Sequence, residues 1–255
     1  ITRNRVPRPL VLLTRVAGAE PLPPAFGNSG WETAPITVLE HEARVLDDRL
    51  RADLAGSPWL ALTSVRGVAV AAGWLADAAL PVAAVQVAAV GTQTAAAAQA
   101  AGFAVALTGQ GGTRELAAEL ARVVPASTVC WLRAADGAAV PLEPLGAAGW
   151  QVRAVDAYTS RPAPAAVHEL RAVLGTGRPV AAIAATSGNC LRALDAALGT
   201  LPGADPDRWR ATTPVVALGE TASTAAASLG YAHVRLAASP TLEALAAAVA
   251  NLLNA

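Results

Sequence analysis

Short apolar segments alternate with Ala- and Leu-rich amphipathic segments along the chain, and this alternation restricts the possible folds most strongly. Six segments predict buried strands, because each is almost continuously apolar and is bounded by Gly, Pro, Ser or Thr. They are residues 10–14, 59–63, 86–90, 128–132, 180–184 and 215–218. Amphipathic segments predict helices over residues 45–55, 65–76, 92–101, 113–124, 167–174, 189–198, 221–229 and 241–250. The alternation predicts an α/β fold with parallel sheets and helices on both faces.

The composition is that of a packed globular protein. Hydrophobic residues make up 54% of the 255 residues and charged residues 15%, which excludes a disordered or collagen-like chain. The 19 basic residues balance the 19 acidic ones, so no overall charge attracts nucleic acid or a membrane surface. Every basic residue is an arginine. Arginine pairs bidentately with carboxylates, so this bias suits an anionic ligand.

The cysteines and histidines form no disulfide or metal-binding pattern. Cys130 and Cys190 lie 60 positions apart, which fits neither a CxxC pair nor a secretory framework and predicts a cytoplasmic protein. The three histidines have no ligating partner at helical spacing, which argues against a metal site. The uncharged segment 78–113 is interrupted too often by Pro, Gly, Gln and Thr for a membrane span. The first residues, ITRNRVPRP, lack the apolar core of a secretory signal.

The chain contains an internal duplication. The segment VGTQTAAAAQAAGF at 90–103 resembles LGETASTAAASLGY at 218–231, at an offset of 128 residues. Upstream, TSVRGV and TSGNCL match at an offset of 123 residues, and the Gly-Trp pairs at Gly30 and Gly149 match at 119. A colinear series of this kind indicates two copies of one α/β unit.

Each copy places polar turn residues where a buried strand ends and a helix begins. Such turns direct backbone N–H groups and hydroxyls toward the carboxyl edge of a parallel sheet, where anions bind. Four such turns predict a binding cleft between two facing domains, although a single Thr-Ser before a helix is usually only a cap. The turn residues are Thr63, Ser64, Gly91, Thr94, Thr186, Ser187, Gly188, Gly219 and Thr221. Three arginines at or just past strand ends are predicted to reach the same ligand: Arg15, Arg66 and Arg133.

Motifs of nucleotide binding and nucleophilic catalysis are missing from the sequence. No Rossmann GxGxxG or P-loop follows a strand, and no GxSxG elbow is present. The catalytic signal is therefore poor, and if the protein is an enzyme, it is expected to hold a reactive substrate in a chosen geometry rather than to use a strong nucleophile or a metal. Two alternatives stay open: a non-catalytic two-lobed protein that binds or senses a polycarboxylate, and an α/β scaffold whose turns are only helix caps.

An ordered series of motifs resembles the uroporphyrinogen-III synthase family. From residue 10 to the C-terminus the series reads VLLTRV, LTSVRGV, AAVGTQTA, WLRAADG, VDAYTSRP, ATSGN, ALGETA and SPTLEALAAAV. The resemblance implies two flavodoxin-like domains, each a doubly wound parallel sheet, joined by a two-strand β linker. The implied domains are residues 1–36 with 161–255, and 40–155, and the linker strands are 33–41 and 153–160. The linker strands are expected to alternate apolar and polar residues, as exposed ribbons do.

The resemblance also implies the reaction. The family converts hydroxymethylbilane, a linear tetrapyrrole octacarboxylate, into uroporphyrinogen III with loss of water and inversion of ring D, without a cofactor. The predicted binding residues would hold the acetate and propionate groups. Tyr158, in VDAYTSRP, matches the family tyrosine thought to help protonate the departing hydroxyl. A cytoplasmic monomer is expected, with the preceding hydroxymethylbilane synthase as a further partner and with no metal, nucleic acid or membrane.

Overall fold

The computed structural model describes residues 8–19, 21–27, 30–110, 112–123, 125–137 and 139–254. The chain divides into two compact units: unit 1 contains residues 1–40 and 161–255, and unit 2 contains residues 41–160. Parts of the sequence predictions lie outside the described residues, namely the helix end at Val124, residues 1–7, 20, 28, 29 and 255 of the implied first domain, and residues 111 and 138 of the implied second domain.

The described residues form ten strands and eleven α-helices. The strands are β1 (Leu10–Val16), β2 (Glu32–Ala43), β3 (Trp59–Leu62), β4 (Gln86–Ala89), β5 (Ala104–Thr108), β6 (Thr128–Ala134), β7 (Gln151–Pro162), β8 (Val180–Ala185), β9 (Val215–Ala217) and β10 (Val234–Leu236). The helices are α1 (Pro24–Gly27), α2 (Asp48–Ala55), α3 (Val65–Asp77), α4 (Thr92–Ala100), α5 (Thr113–Val123), α6 (Leu142–Ala147), α7 (Ala165–Leu174), α8 (Gly188–Gly199), α9 (Pro206–Thr212), α10 (Glu220–Leu229) and α11 (Leu242–Leu253).

Unit 1 is built on a parallel sheet with the strand order β10-β9-β8-β1-β2. Side chains on successive residues of a strand point to opposite faces. Leu10 and Leu12 of β1 pack in a core with α7, α8 and α10, whereas Val11 and Leu13 pack in a second core with α1 and α11. Both faces of the sheet are therefore covered by helices, which accounts for the nearly continuous apolar strands.

Unit 2 has the same layered construction. Its strand order is β7-β6-β3-β4-β5, and the pairs are again parallel. Leu60 and Leu62 of β3 pack in a core with α2, α3 and α4, while Ala61 packs with α5 and α6 on the other face. The protein is thus a mixed α/β protein with mostly parallel sheet.

The six predicted strands and the eight predicted helices are present, with shifts at their ends. The helix predicted to begin at Val45 begins at Asp48 instead, because the carboxylate of Asp47 accepts the N–H of Leu50 at 2.7 Å and caps the helix there. Val45 lies before this cap and is 82% exposed. The strands β5 and β10 and the short helices α1, α6 and α9 were not predicted.

In the strands β2 and β7, buried and more exposed residues alternate at 34–38 and at 155–157, but neither strand is exposed along its whole length. Each pairs with a neighbouring strand, β2 with β1 and β7 with β6. Each also supplies buried side chains to a core: Ile36, Val38 and Leu39 from β2, and Val155, Ala157 and Tyr158 from β7. These contacts bury side chains that a solvated ribbon would leave in water.

Candidate active site

The carboxyl ends of the central strands in unit 1 are held together by two threonines. The Thr186 hydroxyl donates to the carbonyl oxygen of Thr14 at 3.0 Å, and the Thr186 N–H donates to Thr14 Oγ1 at 2.9 Å. Thr14 ends the predicted first strand and is fully buried. Thr186, a predicted ligand contact, therefore joins the ends of β1 and β8.

Two helices begin beside this edge, and they differ in how they are capped. Ser187 is the N-cap of α8, and its Oγ accepts the N–H of Cys190 at 3.1 Å. Gly219 is the N-cap of α10 and has no side chain with which to cap the helix. The N–H of Ala222 donates to the carbonyl oxygen of Gly219 at 3.0 Å, so the N–H groups of Glu220 and Thr221 are left for water or a ligand.

A cavity of about 470 Å³ lies at these two helix starts. Three predicted residues line it: Ser187, Gly188 and Thr221. Asn189, Arg192, Glu220 and Thr224 line it as well, and Arg192 donates to Asn189 Oδ1 at 3.1 Å. The structure thus brings together hydroxyls, backbone N–H groups and a guanidinium, which are the groups that bind carboxylates.

Arg15 lies at the end of β1, near the same edge. Burial raises the pKa of the Cys190 thiol, while hydrogen bonds from Ser187 and Thr186 and the positive charge of Arg15 act in the opposite direction. The positive charge of Arg15 therefore acts at the start of α8, and its contact with a ligand stays a prediction.

The strand ends of unit 2 repeat this arrangement. The Thr63 hydroxyl donates to the carbonyl oxygen of Leu132 at 3.0 Å and joins the ends of β3 and β6. Ser64 is the N-cap of α3, where its Oγ accepts the N–H of Gly67 at 3.0 Å. Gly91 is the N-cap of α4 and, like Gly219, provides no side-chain cap.

Tyr158 lies against the start of α3. Its Oη is 3.0 Å from Ser64 Oγ, and the side chain is only 8% exposed. The ring of His41 makes an edge contact with the Tyr158 ring, with 5.2 Å between the ring centroids. Burial, and then the charge of Arg66, lower the pKa of His41, which Asp136 raises. His41 is thus held in its neutral form near neutral pH.

The remaining predicted residues of unit 2 lie in different settings. Arg133 Nε is 2.9 Å from Asp156 Oδ1, so its guanidinium lies beside an acidic neighbour. Arg66 and His41 line a cavity of about 490 Å³. Thr94 is only 5% exposed, because it lies on the face of α4 that packs into the core.

Sequence reasoning missed His41 and Arg192 as members of these clusters. Arg192 could have been found, because it lies one helical turn after Gly188 and so shares its face of α8. No local pattern pointed to His41, which lies 117 positions before Tyr158 in the chain.

Across the described ranges, no group of three or more His, Cys, Asp or Glu side chains could hold a metal ion. Within the same part of the chain, no helix is long and apolar enough to cross a membrane.

Together, the fold and the edge clusters define an α/β protein whose strand ends carry hydroxyls, helix N-termini and arginines. The family model described as "Uroporphyrinogen-III synthase HemD" matches residues 20–247. The chain belongs to the uroporphyrinogen-III synthase family, cyclising lyases of tetrapyrrole synthesis that act on hydroxymethylbilane.

Solved structures agree with this fold. A mutant uroporphyrinogen III synthase from the extremely thermophilic bacterium Thermus thermophilus is 20% identical, with a TM-score of 0.64, over 96% of this chain and 99% of that chain. Uroporphyrinogen-III synthetase from Helicobacter pylori is 17% identical, with a TM-score of 0.65, over 96% and 99%. Comparison with curated protein sequences found no match.

Proposed function

We propose that the carboxyl edges of the two sheets bind the carboxylates of hydroxymethylbilane and that Tyr158 protonates its departing hydroxyl. The observation that carries this proposal is the pair formed by Tyr158 and Ser64, whose oxygens are 3.0 Å apart at the N-terminus of α3. Family membership supplies the substrate class. The geometry supplies a proton donor beside a positive helix end.

In unit 1, substrate carboxylates would bind in the cavity at the starts of α8 and α10. Thr221 and Arg192 line that cavity, and the first-turn N–H groups after Gly219 have no side-chain cap. Each donor contributes a modest share of the binding energy, since one hydrogen bond to a charged group contributes roughly 1.5–3 kcal/mol. Arg15 would add positive charge at the same edge.

In unit 2, the corresponding groups are the uncapped start of α4 after Gly91 and the guanidinium of Arg66. Thr63, Ser64, Thr186 and Ser187 would act mainly by fixing strand and helix ends, because their hydroxyls already make the hydrogen bonds described above. Thr94 is buried, and Arg133 lies beside Asp156. A direct contact from either to the substrate stays a prediction.

Protonation by Tyr158 would release the terminal hydroxyl as water and leave an azafulvenium-like cation on the substrate. Attack at the substituted carbon of ring D then gives a spiro intermediate, and reclosure inverts that ring. When the newly attached pyrrole ring loses a proton, Tyr158 takes up a proton and returns to its starting form. The protein acts by positioning and charge stabilisation, which requires no strong nucleophile.

We also propose that each unit is a flavodoxin-like domain. Counted within unit 1, the strands lie in the order 2-1-3-4-5, the flavodoxin-like order. Unit 2 has this order too if β6 is counted first and β7 second, which corresponds to a circularly permuted chain. This supports two flavodoxin-like domains that exchange the first strands of their repeats, with β2 and β7 as the linker. We expect a cytoplasmic monomer whose substrate comes from hydroxymethylbilane synthase.

The deciding experiment supplies freshly generated hydroxymethylbilane to the protein and separates the type III from the type I isomer. The expected product is type III, in the presence and absence of EDTA. Product of type I alone, as in the unassisted reaction, would overturn the proposal. If the protein then still bound uroporphyrinogen, measured as a rise in melting temperature, the non-catalytic polycarboxylate-binding alternative would be favoured.

A further inference from the structure

Two hydroxyl groups at the start of α3 share one hydrogen bond and leave one proton unused. Ser64 Oγ accepts the N–H of Gly67 at 3.0 Å and lies 3.0 Å from Tyr158 Oη. In the part of the chain that the structure describes, neither hydroxyl has another hydrogen-bond partner. Each group carries one proton, and only one of the two lies between their oxygens. The other is available to a ligand.

The direction of the shared bond depends on whether a ligand accepts the phenol proton, since either hydroxyl can donate. The phenol is the more acidic of the two groups and so the stronger donor to a ligand. When its proton is directed at a ligand, the Ser64 proton is the one that lies between the two oxygens. Ser64 then donates to Tyr158 while its Oγ accepts the N–H of Gly67 at the positive end of α3.

The ring of Tyr158 is held on another side by His41. The two rings meet edge to face at an interplanar angle of 69°, an arrangement favoured between aromatic rings. His41 is itself fixed, because its Nδ1 lies 3.2 Å from Ser160 Oγ, and Ser160 donates to Asp136 at 3.5 Å. His41 therefore restricts the orientation of the phenol ring.

We infer that Ser64 and His41 are positioning residues for Tyr158. Ser64 donates to the phenol oxygen and His41 orients the ring, so that the phenol O–H is directed at the leaving hydroxyl of the substrate. The inference rests on the proposed role of Tyr158. When the proton moves, the substrate C–O bond breaks and its electrons leave with water. The negative charge on Tyr158 Oη is then stabilised by the Ser64 O–H and by the N-terminus of α3.

Two substitutions at Ser64 test its hydrogen bond to Tyr158 separately from its role as a helix cap. Replacing a capping serine by glycine lowers stability by only a few tenths of a kcal/mol. Ser64→Gly therefore removes the hydroxyl with little loss of stability, whereas Ser64→Thr keeps a hydroxyl. Ser64→Gly should lower kcat for type III product about tenfold with little change in KM, and Ser64→Thr should restore it, because a lost charge-assisted hydrogen bond acts in the transition state. The matched control is Thr241→Gly. Thr241 caps α11 by accepting the N–H of Ala244 at 3.2 Å, and its loss should leave kcat unchanged.

A double-mutant cycle that combines Ser64→Gly with Tyr158→Phe separates a failure of the positioning role of Ser64 from a failure of the proposed role of Tyr158. Tyr158→Phe should be slow, and adding Ser64→Gly to it should cost nothing more. A wild-type kcat for Tyr158→Phe would overturn the proposed role of Tyr158. If Tyr158→Phe is slow but Ser64→Gly has no effect alone, or slows both backgrounds equally, the positioning role of Ser64 is wrong.

Substitutions of different size and an NMR measurement of Tyr158 test the role of His41. His41→Ala should lower kcat several-fold, and His41→Phe, which keeps an aromatic edge, should retain most of it. The chain has two tyrosines, so ¹³Cζ-tyrosine labelling should give two resonances, of which Tyr158→Phe identifies one. That resonance should move in Ser64→Gly and His41→Ala but not in Thr241→Gly. A resonance that stays in place in both positioning variants would overturn the inference.

Discussion

A Cβ atom on Gly188 would lie 2.5 Å from the carbonyl oxygen of Thr221. The start of α8 therefore touches the backbone of α10, and the obstacle is main chain that cannot rotate away. This approach holds Ser187 and Thr221 at one cavity. Gly188 serves the site through helix packing, a role that the sequence alone could not separate from ligand contact.

Gly188→Ala should force α8 and α10 apart. We expect a loss of about 1–3 kcal/mol in the free energy of unfolding, the usual effect of overpacking, and a rise in KM for hydroxymethylbilane. Urea denaturation and steady-state kinetics measure the two effects. Gly219→Ala is the control for stability, because a Cβ there meets nothing within 4 Å. Equal stability of Gly188→Ala and the wild type would show that the helices yield without cost.

A buried ionic cluster in unit 1 gives a second prediction. Asp195 accepts from Arg210 at 3.0 and 2.7 Å and from the hydroxyl of Tyr231 at 3.1 Å. Arg210→Met would leave the buried carboxylate without its cation, so the free energy of unfolding should fall by about 3 kcal/mol. Arg178→Met, which breaks an ion pair with the exposed carboxylate of Glu32 and a hydrogen bond to the carbonyl oxygen of Arg8, should cost less, about 1 kcal/mol, because it leaves no buried carboxylate without a cation. Similar losses in the two variants would contradict this account.

The sequence predicted the elements whose signals are local. Buried strands such as β8, bounded by Pro179 and Thr186, were found because four or more apolar residues stand between turn residues. The strand β10 has three residues and ends in Leu236, which is 45% exposed, so no apolar run marks it. The helix α9 had a readable start, Asp205-Pro206, with Asp205 as N-cap, and it was overlooked.

The residues of the candidate site likewise fall into those that a local pattern identified and those that only the fold brings together. Ser64 and Ser187 were identifiable because a cap residue between strand and helix is a local pattern. The bond from Ser64 to Tyr158 joins residues 94 positions apart, and the edge contact with His41 arises only when β2 and β7 are in place. Such pairings depend on strand order, for which one sequence provides no direct signal.

His41 should make stability depend on pH. Its pKa is lowered in the folded protein, chiefly by burial and then by Arg66, so below the unfolded value of about 6.5 the unfolded chain takes up the proton first. The contribution is fully present above pH 6.5 and is lost as the pH falls through the folded pKa. The free energy of unfolding should therefore drop less between pH 7.5 and 5 in His41→Phe than in the wild type. Urea unfolding at the two pH values measures this.

The control for His41 removes the neighbouring positive charge. Arg66→Gln should weaken the pH dependence partly, because burial, the larger cause, remains. Asp136→Asn should strengthen it, since Asp136 acts in the opposite direction. A drop in stability that is identical in wild type and His41→Phe would assign the pH dependence to other groups.

Adding a capping side chain at the start of α10 should raise the stability of the fold and weaken substrate binding. Gly219 has an extended backbone, with φ of −159°, and open space at its Cβ, so a serine fits there without strain. In Gly219→Ser, the hydroxyl should accept the N–H of Thr221, because the N–H of Ala222 already donates to the carbonyl oxygen of residue 219 at 3.0 Å, and it should stabilise the fold by a few tenths of a kcal/mol. That N–H is then lost to the substrate, so KM for hydroxymethylbilane should rise. Gly219→Ala adds a Cβ without an acceptor and should raise KM less. If Gly219→Ser gains stability with KM unchanged, the N-terminus of α10 does not bind the substrate carboxylates.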